Sequence, residues 1–314
     1  MANQTSGLFE TLVVPAATAS IQALRYSKAY PESIYWDYKD VGGRTGQTLN
    51  CDVPIVVEAD ATDIGSGSVS TSDTTHTTVP IVLDQHPSVS FTIQSWDEVR
   101  TPQDLQRLYV QPKLESLLRK INATVAAKAV AANFDVHDGI TGGTATFTRA
   151  NILAAWAKLA GAGVPVSDPG NLFFITHPAA YANMLADTNF YQESIVGINS
   201  AELAQRRAVF APQANTVIKF DQQAPLSTTK YTGLFFHRYA IGGVVVRPPA
   251  LSAAGKGGDG IKETVLYPFR NAPQFPVQLQ MQSTVKEQGT LIHMHAMFGV
   301  KVVRPDHGVV LTAA

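Results

Sequence analysis

"FPVQLQMQSTVKEQGTLIHMHAMFGVKVVRP", residues 275–305, changes character halfway along. In its first half Val277, Leu279 and Met281 alternate with Gln278, Gln280 and Gln282. That period of two puts successive side chains on opposite faces of a strand. In its second half Ile292, Met294, Ala296, Phe298, Val300 and Val302 form one unbroken apolar face. Glu287-Gln288-Gly289 separates the halves, so an antiparallel hairpin with one side buried is expected. His293 and His295 then fall on the less apolar face. Two imidazoles at i and i+2 on a strand point the same way and can both ligate a divalent ion. They need a third ligand, and the strand opposite offers only glutamines. A polar or interface-lining role therefore outweighs a metal site.

Upstream of this hairpin, residues 246–263 form a Pro/Gly-rich loop. Its "GKGGDG", residues 255–260, matches Gly-x-Gly-x-x-Gly letter for letter. Phosphate binding by that motif requires a helix N-terminus after it. Here "IKETVLYPF" follows and reads as a strand. From residue 148 to about 245 short elements alternate: the helix "RANILAAWAKLAGAG" ended by glycine, the buried strand "NLFFITH", and the helix "PAAYANMLAD" with Pro178 in its first turn. "SAELAQRRAVF" is expected as a further helix, and "NTVIKF" and "GLFFH" as strands, giving an α/β unit.

Before that unit, Leu114, Leu117, Leu118, Ile121, Val125, Ala129 and Ala132 recur at three- and four-residue steps. This is one stripe of a helix expected over residues 112–133, about 33 Å long at 1.5 Å per residue. Thr101, as N-cap, and Pro102, at the first helical position, mark a helix start just upstream. Two β-prone stretches, 48–58 and 77–95, flank a tip of Asp, Gly, Ser and Thr and are expected to pair as a long ribbon. A lone two-stranded ribbon is marginal in water. With few apolar residues near its tip, this one is expected to be stabilised by a neighbouring molecule. Residues 1–40 carry no sustained period, and "YPESIYWDY" is expected to pack on something distant.

Composition agrees with that expectation. Of 314 residues, 45% are apolar but only 16% charged, against roughly 25% in an ordinary domain. Low charge with much Ser, Thr, Gln and Ala suits surfaces buried between subunits. A net charge of −1 leaves no basic footprint for nucleic acid. The lone Cys51 excludes an intrachain disulfide and a multi-thiolate metal site, and fits folding in a reducing cytoplasm. Glu10, Pro15 and the lack of Lys or Arg before Arg25 argue against a signal peptide. No apolar run reaches the ~20 residues of a membrane span.

The search for chemistry assigns no catalytic, cofactor-binding or metal residue. Cys51 sits between Asn50 and Asp52 without an electropositive setting. Asp135, His137 and Asp138 in "FDVHDG" read as turn residues past the long helix. "GGRTGQT", residues 42–48, lacks the Gly-Lys-Ser/Thr of a phosphate loop and reads as a turn into the ribbon. The sequons at Asn3 and Asn122 are coincidental in a cytoplasmic chain.

This order of parts, with phrases such as "VSFTIQSWDEVRTPQDLQRLYVQPKLESLLRKI", "GLFFHRYAIGGVVVRPP" and "MHAMFGVKVVRP", resembles the major capsid protein of tailed double-stranded DNA bacteriophages. That is the Hong Kong ninety-seven-type capsid fold, shared with encapsulins. The resemblance implies an α+β fold with an N-terminal arm (1–45), an extended β-hairpin loop (46–95), a spine helix with its peripheral sheet (96–147 and 246–314) and an α/β axial domain (148–245). It implies a non-enzymatic shell subunit of the virion capsid, assembled in the bacterial host cytoplasm into pentamers and hexamers around double-stranded DNA held by non-specific proximity, with no membrane partner. A portal protein is an expected partner. The chain begins directly with the arm, so a separate scaffolding protein is expected. Asp60, Asp63 and Asp73 of the loop, with Arg270 and Lys286 as their basic partners, are the candidate inter-subunit contacts. Some members weld their shells through an extended-loop lysine and a neighbour's asparagine. This chain has no lysine between Lys39 and Lys113, so no such crosslink is expected, and denatured shells are expected to run as a single 33.7 kDa band. Two alternatives remain: an encapsulin-type compartment with the same fold, and a metal-dependent enzyme using His293 and His295.

Overall fold

The structure is a computed structural model that describes residues 28–39, 46–54, 76–94, 106–137, 147–167, 170–186, 216–227, 230–248, 262–269, 275–284 and 289–312. The closing hairpin forms as expected. Strand β12 (Val277–Thr284) pairs antiparallel with β13 (Gly289–His295), Leu279 opposite Met294 and Met281 opposite Ile292. β11 (Lys262–Leu266) and β4 (Ser88–Gln94) flank them in the order β11-β12-β13-β4. Helix α1 (Gln111–Ala126) packs against β4 and β13, and its Leu114, Leu117, Leu118, Ile121 and Val125 join Ile93, Val277, Leu279, Met281, Ile292 and Met294 in the main core. Burying each of these large side chains is worth about 1.5–3 kcal/mol.

Helix α1 is shorter than its stripe suggests. It follows a π-helical turn, Gln106–Val110, and stops at Ala126 instead of residue 133, for a length of about 24 Å. Beyond Ala126 the bonds tighten to i+3: Lys128 N–H to the Val125 carbonyl and Ala129 N–H to Ala126. Asn133 Nδ2 then donates to the Lys128 carbonyl at 2.9 Å. Ala129 and Phe134 are buried by this turn, whereas Ala132, expected on the stripe, is exposed. The helix start expected at Thr101 and Pro102 lies outside the described residues.

Two expected strands break, and they break side by side. The stretch 77–95 divides into β3 (His76–Val82), which pairs with β2 (Thr48–Pro54) in the ribbon, and β4. Between them Asp84 N–H turns back onto the Val82 carbonyl, Leu83 is fully buried, and Pro87 has no N–H to continue a ladder. The stretch 289–302 divides at Ala296 into β13 and β14 (Met297–Val302). β14 pairs with β10 (Ile241–Val246), which pairs in parallel with β1 (Tyr35–Lys39). The two breaks meet: Gln85 and Phe298 exchange both backbone hydrogen bonds, and Ala296 N–H donates to the Pro87 carbonyl. The apolar face continues through the break, with Ala296 and Phe298 fully buried.

The middle segment forms a sheet in the order β5-β15-β9-β6-β7, built from β5 (Asp135–His137), β15 (Gly308–Thr312), β9 (Lys230–His237), β6 (Leu172–Thr176) and β7 (Thr216–Phe220), with β8 (Leu226–Ser227) added on β9. Sheet membership thus cuts across the expected segments, since β5 and β15 come from either side of the α/β stretch. "FDVHDG" supplies strand β5, not a turn, because its backbone pairs with β15. Both faces of the sheet are covered, which is why "LFFIT" is apolar throughout. Leu172 and Phe174 pack with Ile152, Ala155 and Leu159 of α2 (Arg149–Gly161) and Ala180 and Met184 of α3 (Pro178–Ala186); Phe173 and Ile175 belong to the main core. Thr148 caps α2, accepting from Asn151 N–H. The helix ends at Gly163, whose φ of +76° suits a residue without Cβ, with Val164 N–H bonded to Leu159 and Gly163 N–H to Ala160. The helix expected at "SAELAQRRAVF" lies outside the described residues.

Candidate functional site

The five candidate contacts, Asp60, Asp63, Asp73, Arg270 and Lys286, lie outside the described residues, as does "GKGGDG"; the expected strand after it is β11, paired antiparallel with β12. What is described of the ribbon is its root. Leu83 exchanges backbone hydrogen bonds with Gly46 and Gln47 (2.8 and 2.9 Å). Ile81 and Leu83 are buried against Val244 and Val246 of β10, with Leu49 and Val303 at the margin. Gly299 of β14 lets the chain of β3 pass closely, since a Cβ there would strike the Val82 carbonyl oxygen. Only one face of the root is covered: on the other, Thr48, Asn50, Thr78 and Pro80 are exposed, and so is Val82, at 45%.

Beside this root lies the histidine face. The strand opposite does present glutamines, with Gln278 in register with His295 and Gln280 with His293. Three further neighbours were not legible. Ser90 Oγ is 2.7 Å from His293 Nδ1, and His86 Nε2 is 2.9 Å from His295 Nδ1. Glu263 of β11 accepts from Gln278 Nε2 and Gln280 Nε2 at 3.1 and 3.2 Å. This face is also drier than expected: Gln278, Gln280 and His295 are all buried. Burial, and then the charges of His293 and His86, hold the His295 imidazole down to about 4; His293 is lowered too, by burial first and His86 second. Both rings are therefore neutral at pH 7. Among the described residues no group of three or more His, Cys, Asp or Glu side chains is arranged to hold a metal ion. The face can share and exchange protons.

A second polar junction was not legible at all. Asp221, fully buried in the turn after β7, accepts from Ala29 N–H (3.2 Å), Gln223 N–H (2.8 Å) and Asn122 Nδ2 (2.9 Å to each oxygen). It thereby ties the segment before β1 and the middle of α1 to the α/β sheet. Burial raises its carboxyl above the ordinary carboxylate value, opposed by the hydrogen bonds from Gln223, Asn122, Ala29 and Tyr30. The amide of Asn122 is consumed here, inside the core, which settles its sequon as coincidental. Nearby, Lys219 Nζ donates to Ser33 Oγ at 3.0 Å and lies 5.0 Å from the Phe173 ring centroid. No helix among the described residues is long and apolar enough to cross a membrane.

No family model matches the chain, and no curated protein matches it in sequence. Solved structures do. The capsid of cyanophage P-SCSP1u superposes with a TM-score of 0.60 at 15% identity, over 93% of this chain and 89% of that one. The capsid of cyanophage A-1(L) gives 0.56 at 12%, over 92% and 94%. A virus-like particle from Pyrococcus furiosus gives 0.50 at 13%, over 95% and 97%. Helix against sheet, ribbon and α/β unit thus share one architecture with these shells: the chain has the α+β fold of tailed-phage capsid proteins that the order of its parts led us to expect.

Proposed function

We propose that this chain is the major capsid protein of a tailed phage, the shell subunit of an icosahedral head that encloses double-stranded DNA. The observation that carries the reading is the near end-to-end likeness to phage capsids. The ribbon supports it: a two-stranded element whose described residues are covered on one face alone gains stability when laid across a sister molecule. In this reading residues 46–95 reach over a neighbour, 148–245 meet their copies around the five-fold and six-fold axes of pentamers and hexamers, and 1–45, 96–147 and 246–314 form the arm and periphery. Asp60, Asp63 and Asp73 face Arg270 and Lys286 of adjoining copies. Exposed ion pairs of that kind are worth about 0–1 kcal/mol each, so they set register more than strength. Many modest contacts in a closed shell add up to far more than any one of them. A separate scaffolding protein and a portal protein complete the assembly, and no catalytic role is assigned.

Electron micrographs of the purified protein test this. Closed shells of uniform size are the expected result; a population of isolated subunits at high concentration contradicts it. The likeness to the Pyrococcus particle favours one alternative, a compartment holding a cargo protein. Shells purified from a native source that hold a protein cargo in place of DNA decide for that alternative.

A further inference from the structure

The two strand breaks meet at one place, and a histidine pair sits on it. Residues 83–87 connect the ribbon to β4, and Ala296 separates β13 from β14. Leu83 is anchored by burial against Val244 and Val246; beyond it residues 84–87 are held by the Gln85 and Phe298 backbone exchange, by Ala296 N–H on the Pro87 carbonyl, and by the side-chain contact of His86 with His295. His86 is exposed, while His295 is only 6% exposed.

The protonation chemistry of this contact is asymmetric. Two imidazole nitrogens 2.9 Å apart form a hydrogen bond only if one carries the hydrogen and the other a lone pair. One hydrogen between them fits, with Nε2–H of exposed His86 donating to His295 Nδ1. A second does not, because two N–H groups would face each other. The Nε2–H of His295, already buried without a partner among the described residues when Nδ1 accepts, would then belong to a charged ring. Among the described residues the charges that act on the ring are those of His293 and His86, and both oppose its protonation. On its own strand stands His293; from β4, Ser88 and Ser90; from β12, Gln278 and Gln280. Beyond β12 the Glu263 carboxylate is occupied by those two amides, and Asp84 lies on the connection itself. Helix α1 packs on the opposite, apolar face.

We propose that His86 and His295 form a proton-operated fastening that seats the connection after the ribbon root on the peripheral sheet, and that uptake of a second proton from solvent by the pair releases residues 84–87. The fastening works within one subunit, so it stands or falls independently of the shell reading.

Hydrogen exchange on the full chain tests it, read at the amides of Gln85, Ala296 and Phe298 and corrected for intrinsic rates. A ring at about 4 when fastened and 6.5 when released makes opening about thirtyfold more frequent at pH 5 than in the absence of the coupling. The seam amides should therefore lose about that factor in protection between pH 7.5 and pH 5, while Phe174 and Phe235 in the α/β sheet do not. In His295→Gln the loss should vanish. Should that variant fail to fold, His86→Gln keeps the buried ring, removes the facing one, and should shrink the factor measurably while burial and His293 keep part of it. Equal seam protection at both pH values in the unaltered chain, or an unchanged factor in whichever variant folds, overturns the proposal.

Discussion

Asp221 and His295 are both ionisable groups pressed against the core, and they behave in opposite ways because of what surrounds their polar atoms. Asp221 is met by N–H donors from three separate segments, so its two oxygens are satisfied where they lie. His295 has one imidazole partner and one nitrogen with no partner among the described residues. A buried group with several donors is a rivet; a buried ring with a single titratable partner is a catch. The pH dependences also oppose one another. For Asp221 the folded-state value is raised, so the stability it contributes is present at low pH and is lost as pH rises through that value. For His295 the folded-state value is lowered, so its contribution is present above 6.5 and is lost as pH falls toward about 4.

The largest expected effect breaks the rivet. Asp221→Ala takes the acceptor from the buried Ala29 N–H and from the half-buried Gln223 N–H, and leaves the Asn122 amide with Gln223 Oε1 alone. Leaving a buried donor unsatisfied costs about 1–3 kcal/mol for each such group. A denaturant titration should show the loss, with residues 28–33 becoming accessible to protease before the remainder unfolds.

A smaller effect isolates packing at the seam from its protons. Gly299→Ala drives a methyl group into the Val82 carbonyl and should cost about 1–3 kcal/mol by displacing the ribbon root. Its denaturant midpoint should fall equally at pH 7.5 and pH 5, with faster proteolysis inside residues 46–94.

The smallest effect belongs to the catch. Between pH 7 and pH 5 the chain should lose about 1–2 kcal/mol through His295, with His307, also lowered to about 4 by burial, adding in the same direction. Thermal melts across that window, repeated on His295→Gln, should separate the two contributions.

How far each junction could be read from the chain differs in the same way. The stripe of α1, the buried strand "LFFIT" and the 277–295 hairpin were legible because their periods are written in adjacent residues. The end of α1 was not: "KAVAANF" contains nothing hostile to a helix, and it stops because Ala129 and Phe134 turn into the core. The break at Ala296 was hidden by alternation that runs straight through it, whereas the polar run 84–86 and Pro87 did mark the other break within a stretch read as one strand. Asp221 and His86 gave no signal, since Ala29 lies 192 positions from the former and His295 209 from the latter. Of the candidate site, His293 and His295 were placed on the correct face, but its depth and its other members depend on strands far apart in the chain.

The account depends on a subunit whose ribbon is under-supported when alone. Sedimentation of the purified chain over rising concentration, with limited proteolysis within residues 48–82 on each sedimenting species, tests that directly. We predict that free subunits are cut there and that large closed assemblies are protected. A compact monomer at high concentration, melting cooperatively with its ribbon resistant to protease, would contradict it.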